Sequence, residues 1–134
     1  MIIGLETAVL NYLLVTLLAG IYVGIILIVN HAGMATSIDY ANLPLMERVG
    51  CTTRNLGEGW FSDFIWGGIN NHVEHHLYPS LPASKLGKAR KIVKKYYQTH
   101  GLPYHESNFF TALNEALNYF KEISPLDRVM EPLN

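Results

Sequence analysis

The chain has 134 residues, a formal net charge of −1 and a single cysteine, Cys51. That length suits one domain, the near-zero charge argues against nucleic-acid binding, and one cysteine excludes an internal disulfide framework. The hydrophobic residues, 49% of the total, are spread unevenly along the chain.

From Thr7 to Val29 there is no charged residue. About 20 helical residues cross the apolar core of a bilayer, and a soluble helix of this length usually keeps a polar stripe. A secretory signal would need a basic start and a shorter apolar run, whereas this chain begins Met1-Ile2-Ile3-Gly4-Leu5-Glu6. Residues 7–29 therefore predict one transmembrane helix, on which Gly20 and Gly24 form a small-residue pair that lets another helix approach. No Lys or Arg precedes Arg48. The positive-inside rule then places the amino terminus outside and the chain from about residue 30 in the cytoplasm.

Asn30-His31-Ala32-Gly33-Met34 follows at the cytoplasmic end of that helix. His31 is either a plain interfacial residue or a metal ligand held at the membrane surface. Residues 35–59 read as a connector with short helical pieces, punctuated by Pro44, Gly50, Gly57 and Gly59. Cys51, within it, reads as a buried free thiol. The segment Trp60-Phe61-Ser62-Asp63-Phe64-Ile65-Trp66 is too short to span a membrane. Its aromatic residues suit interfacial anchoring, with the wall of an apolar channel as the alternative. Gly67-Gly68 allows a bend or a close backbone approach.

The central stretch is Asn70-Asn71-His72-Val73-Glu74-His75-His76-Leu77-Tyr78-Pro79, with three of the six histidines inside five residues. In a helix, positions three and four apart share a face, so His72, His75 and His76 are expected to converge. Imidazole is well suited to divalent transition metals at neutral pH. Pro79 disfavours helix at Tyr78, so the turn should end just behind His76. Further on, Leu86, Ala89, Val93, Tyr96 and Tyr97 recur at helical spacing among Lys85, Lys88, Lys91, Lys94 and Lys95. The basic face suits an anionic lipid surface or an acidic redox partner, or is simply solvated. Gly101 and Pro103 end this helix. Ser107 is placed to cap a second one, with Phe109, Phe110, Leu113, Leu117 and Phe120 on its apolar side. His100 and His105 read as surface residues, and 125–134 as a loose tail. The fold class expected is an all-α membrane protein: one transmembrane helix, then a cytoplasmic helical part over about 30–124 carrying a His-x-x-His-His box.

The spacings of zinc proteases do not fit, because Val73 and Asn71 occupy positions where those motifs need Glu and His. Three histidines and water would still make a zinc site. A cluster just behind a membrane helix points instead to a lipid-soluble substrate, and iron with open positions activates dioxygen for attack on an alkyl C–H bond.

The words Thr53-Arg54-Asn55-Leu56, Trp66-Gly67-Gly68-Ile69-Asn70 and His72-Val73-Glu74-His75-His76-Leu77-Tyr78-Pro79 resemble the third histidine box of membrane fatty acid desaturases. The Pro82–Tyr104 stretch and Asn30-His31-Ala32-Gly33-Met34 are also similar to segments of that family, so the resemblance covers roughly residues 7–120. It implies a di-iron centre with His72, His75, His76 and His31 as ligands, and Asn70, Asn71 and Glu74 orienting imidazoles from behind. No separate general base is implied. The implied activity inserts a double bond into a fatty acyl chain carried on a lipid, coenzyme A or a carrier protein. Dioxygen would be consumed, with two electrons from a small donor such as cytochrome b5 or ferredoxin. Two earlier histidine boxes of the family have no counterpart here, and four ligands are too few for two irons. The expectation is therefore the carboxy-terminal portion of a desaturase, whether truncated gene, split subunit or pseudogene product, inactive by itself. Alternatives are a lipid hydroxylase or carotenoid ketolase of the same di-iron class, a non-catalytic metal-binding membrane protein, or a small zinc hydrolase.

Overall fold

The computed structural model describes residues 4–36 and 38–124. The expected tail at 125–134 lies outside them. Helix α1 (Leu5–His31) is followed by α2 (Leu45–Thr52), β1 (Arg54–Asn55), α3 (Trp60–Ile65), α4 (His72–Leu77), α5 (Ala83–Thr99), β2 (His105–Glu106) and α6 (Phe109–Ile123).

The helix predicted over residues 7–29 is present and longer than expected. Its 27 residues make a rod of about 40 Å at 1.5 Å per residue. It is the one helix among the described residues long and apolar enough to cross a membrane. Residues 4–23 are exposed, and burial begins at the far end with Ile26, Val29 and Asn30. The remaining elements are gathered around that end. A Cβ added at Gly20 or Gly24 would meet nothing within 4 Å, so no described helix uses this small-residue pair.

Two small cores hold the gathered elements. Val49 of α2, Val73 of α4 and Val93 and Tyr97 of α5 form one, with Met46, Leu77, Leu102 and Tyr104 against it. Val29 of α1, Leu56 and Ala112 of α6 form the other, flanked by Phe109 and Leu113. The first core requires Gly50: a Cβ there would overlap the Pro103 carbonyl and sit 2.8 Å from the Tyr97 ring.

The all-α expectation needs one correction. β1 and β2 pair in parallel, Arg54 opposite His105 and Asn55 opposite Glu106. The pair is two residues long, too short to leave an alternating pattern, and it ties the chain before the box to the chain after α5. Two details of α6 also differ. Asn108 rather than Ser107 caps it, accepting a hydrogen bond from the Thr111 N–H at 2.9 Å. Ala112 and Ala116 are the buried positions, while Phe110, Leu117 and Phe120 are exposed. Ala112 packs with Val29 of α1, and Phe109 and Leu113 of the expected face lie beside that contact. On α5, Leu86, Val93 and Tyr97 are buried as periodicity predicts. Arg90 joins them, while Tyr96 is exposed.

Candidate metal centre

The box helix is short because its sequence ends it on both sides. It begins behind Gly67 and Gly68, at φ +57° and +83°, backbone conformations open to glycine at little cost. A Cβ on Gly68 would also press into Ala83 at 2.9 Å, so the entry to α4 sits tightly on the start of α5. The helix ends at Leu77, with Tyr78 as its cap before Pro79, as the sequence predicts.

His72 and His76, one turn apart, face the end of α1, where His31 completes a triangle. The three Nε2 atoms are separated by 2.8 Å (His72–His31), 3.1 Å (His76–His72) and 3.3 Å (His76–His31). Metal–imidazole bonds of ~2.1 Å place neighbouring ligand nitrogens ~3.0 Å apart at a right angle and ~3.4 Å at the tetrahedral angle. The triangle fits one ion. Nδ1 of His31 lies 3.1 Å from the Thr52 carbonyl. That oxygen only accepts, so Nδ1 carries the proton and Nε2 keeps a free lone pair.

Burial first, then the neighbouring imidazoles, pulls the pKa of His72 down to about 3 and that of His76 to about 4. Both rings are therefore neutral at pH 7, the form that binds metal. Nδ1 of His72 is buried and makes no well-formed hydrogen bond, the Ile69 backbone exerting only a weak pull on the ring.

The expected convergence of the three box histidines is met by two of them. The ring of His75 stands 5.8 Å from that of His72 and 5.9 Å from that of His76, outside the group whose ligand atoms lie within 4.8 Å of one another. Positions 75 and 76 differ by about 100° around a helix, so His31 can stand beside only one of them. His100 and His105 are exposed, as expected.

Asn70, Asn71 and Glu74 are buried, but their hydrogen bonds go to groups other than imidazoles. Asn70 and Asn71 both donate to Asp63 Oδ1, at 2.8 and 2.9 Å. Glu74 accepts from the Tyr104 hydroxyl at 2.7 Å and from Asn55 Nδ2 at 2.8 Å. Asn55 Oδ1 in turn receives the Val73 N–H at 2.8 Å. Burial, the Glu74 charge and the bond to it raise the Tyr104 pKa well above the usual phenol range, so Tyr104 remains a donor.

Two buried arginines fix the frame. Arg90 donates to Glu106 at 2.8 Å, to the Leu56 carbonyl at 2.8 Å and to Asn71 Oδ1 at 3.3 Å. Arg54 bonds Glu115 and the Ala32 carbonyl, clamping the chain just after His31. Asn30 is fully buried; its amide reaches the Ile69 carbonyl at 3.5 Å and its Oδ1 has no partner among the described residues. Cys51 is half-buried rather than buried, and burial together with Glu47 raises its pKa. Sequence reasoning missed Thr52, Asn55, Arg90 and Tyr104. The one available signal was a buried-type asparagine and tyrosine inside the words that carry the resemblance.

A membrane-length helix ending on a three-imidazole cluster defines a class: helical proteins with a histidine cluster able to hold a metal ion at the end of an apolar helix. Comparison with known proteins narrows it. Residues 2–108 match the fatty acid desaturase family, and the chain belongs to that family. It is 30% identical over 123 residues to the Delta(5) fatty acid desaturase fat-4 of Caenorhabditis elegans, covering 89% of this chain and 27% of that protein. It is 31% identical over 106 residues to the acyl-lipid 8-desaturase of Rebecca salina, covering 78% and 25%. It is 30% identical over 104 residues to a Delta(8)-fatty-acid desaturase of Euglena gracilis, covering 73% and 24%. The chain thus spans about a quarter of the length of these relatives. No solved structure matches it.

Proposed function

We propose that this chain is the portion of a membrane fatty acid desaturase that supplies His31, His72 and His76 to one iron of its centre. The observation that carries the reading is the Nε2 triangle, 2.8–3.3 Å on a side, in a chain of the desaturase family. His75, turned aside, is available to a second iron whose other ligands come from polypeptide outside this chain. Iron held by imidazoles with open positions supplies the dioxygen-dependent oxidation that removes two hydrogens from an acyl chain. The protein's own part is positional. Thr52 fixes the His31 tautomer, burial keeps His72 and His76 unprotonated, and the Glu74–Asn55–Tyr104 network holds α4 in register.

α1 anchors the assembly. Its length exceeds the ~30 Å apolar core of a bilayer by about 10 Å. Tyr22 stacks on Trp66 with ring centroids 6.2 Å apart, and Trp66 stacks on Phe109 at 4.9 Å. Around this stack Trp60, Phe61 and Phe64 are exposed, the composition of an interfacial belt. The histidine cluster then stands on the aqueous side of the belt, and we assign that side to the cytoplasm. The exposed lysines of α5 suit an acidic electron donor such as cytochrome b5 or ferredoxin.

The substrate is a fatty acyl chain, and the names of the relatives favour desaturation over hydroxylation or ketone formation. The test is a graft. Residues 5–124 replace the matching region of the C. elegans Delta(5) relative in yeast, and lipids are analysed for a new double bond. The reading predicts product with the graft and none with its His72→Ala version. Product that persists with His72→Ala, or a graft that reaches the membrane and makes no product, sinks it. By itself the chain, given ferrous iron, dioxygen and reductant, is expected to form no alkene.

A further inference from the structure

We propose that the cleft between α2 and the imidazole triangle receives the anionic end of the acyl substrate, and that Arg48 is the residue that holds it. This rests on the desaturase reading and adds to it a specificity-determining residue.

One face of α2 makes the inner wall. Leu45, Arg48, Val49 and Thr52 fall at positions i, i+3, i+4 and i+7, a single helical stripe. All four line a cavity of about 460 Å³, with His31 and His76 on its other side. The same stripe ends at Thr52, whose carbonyl holds His31. The wall that positions a candidate ligand therefore also presents two apolar side chains and one cation to the space in front of it.

Arg48 differs from the other described arginines. Arg54 and Arg90 are buried and paired with glutamates. Arg48 makes one hydrogen bond, from Nη1 to the Ala41 carbonyl at 3.2 Å, and no ion pair with a described residue. A guanidinium carries five N–H donors in a planar fork matched to carboxylate and phosphate. Four of these have no acceptor among the described residues. The other large cleft shows the contrast. There Glu58 and Asp63 face Lys88, Arg90 and Lys91, so the protein neutralises its own charges. Among the described residues, none that lines the cleft at Arg48 is acidic. Its cation complements an anion from outside, and Leu45 and Val49 cover the adjoining methylenes.

The ligand chemistry is an alkyl chain ending in a phosphate or carboxylate. A free acid carries its carboxylate on the chain itself, whereas a coenzyme A thioester and a phospholipid carry phosphate beyond a neutral thioester or ester linkage. The probe is dodecyl phosphate, added to the full chain in neutral maltoside micelles with histidine and arginine labelled for NMR. Saturable shifts at Arg48, His31 and His76 are expected with dodecyl phosphate and not with dodecyltrimethylammonium. Arg48→Gln should weaken binding about tenfold or more, and Arg48→Lys should recover most of the loss. Lauroyl-coenzyme A and lysophosphatidic acid then compete with the probe, and the stronger competitor identifies the source of the anion. Equal binding of the anionic and cationic amphiphiles, an unchanged affinity in Arg48→Gln, or no competition by either natural compound overturns the proposal. Cobalt(II) binding is measured on the same samples. Its loss in the wild-type chain would defeat the iron-centre reading while the amphiphile titration still decides this one.

Discussion

The two faces of the box helix use polar residues in opposite ways. On the front, three Nε2 atoms of His31, His72 and His76 point at one another, an arrangement that a cation satisfies better than protein does. On the back, each polar group is already matched: Glu74 by Tyr104 and Asn55, Asn71 by Asp63 and Arg90. A buried polar residue with saturated hydrogen bonds is structural, whereas a histidine whose free nitrogen faces its like is a ligand in waiting. That distinction separates Glu74 from His76, two residues apart on the same helix.

Breaking the back face tests the comparison most severely. Glu74→Ala leaves the Tyr104 hydroxyl and Asn55 without their buried acceptor and is expected to cost about 3 kcal/mol, read from denaturant unfolding in micelles. Gly50→Ala drives a methyl into Pro103 and Tyr97 beneath the same face and should cost about 2 kcal/mol, by the same measurement. At the edge of the fold, Asn108→Ala removes the α6 cap and is expected to cost about 1 kcal/mol.

The smallest effect is a pH dependence. Burial pushes the Glu106 pKa up, but hydrogen bonds from Lys94 and Arg90 and their charges outweigh it, so the net shift is downward. A carboxyl whose folded pKa is depressed contributes stability above its unfolded value and loses it as pH falls through the folded value. Acid below the ordinary carboxylate range should therefore destabilise the wild-type chain more than Glu106→Gln. A parallel decline in both would remove this ion pair from the account.

The front face was largely legible in the sequence and the back face was not. Apolar length announces α1, histidine spacing announces the box, and Gly67-Gly68 announces the bend before it. The latch from Thr52 to His31 spans 21 residues and the Arg90–Glu106 pair spans 16, with no periodic trace of either. Arg90 sits in a lysine-rich helix, where charge pattern alone cannot tell the one cation that turns inward. Asn70, Asn71 and Glu74 were singled out as important. Their partners depend on where Asp63, Asn55 and Tyr104 arrive, which only the tertiary fold decides. His75 shows the converse limit, since helical spacing made it equivalent to His76 until the position of α1 chose between them.

The most direct measurement is cobalt(II) titration of the full chain in micelles, with X-ray absorption to count bound imidazoles, for wild type, His31→Ala and His75→Ala. The triangle predicts one tightly bound ion with three imidazoles in the wild type. It predicts a loss on the order of 100-fold in His31→Ala, since even residues that merely support a ligand cost 10–100-fold, and near-wild-type affinity in His75→Ala. The reverse pattern, with affinity retained without His31 and lost without His75, would contradict the account and return the site to the box alone.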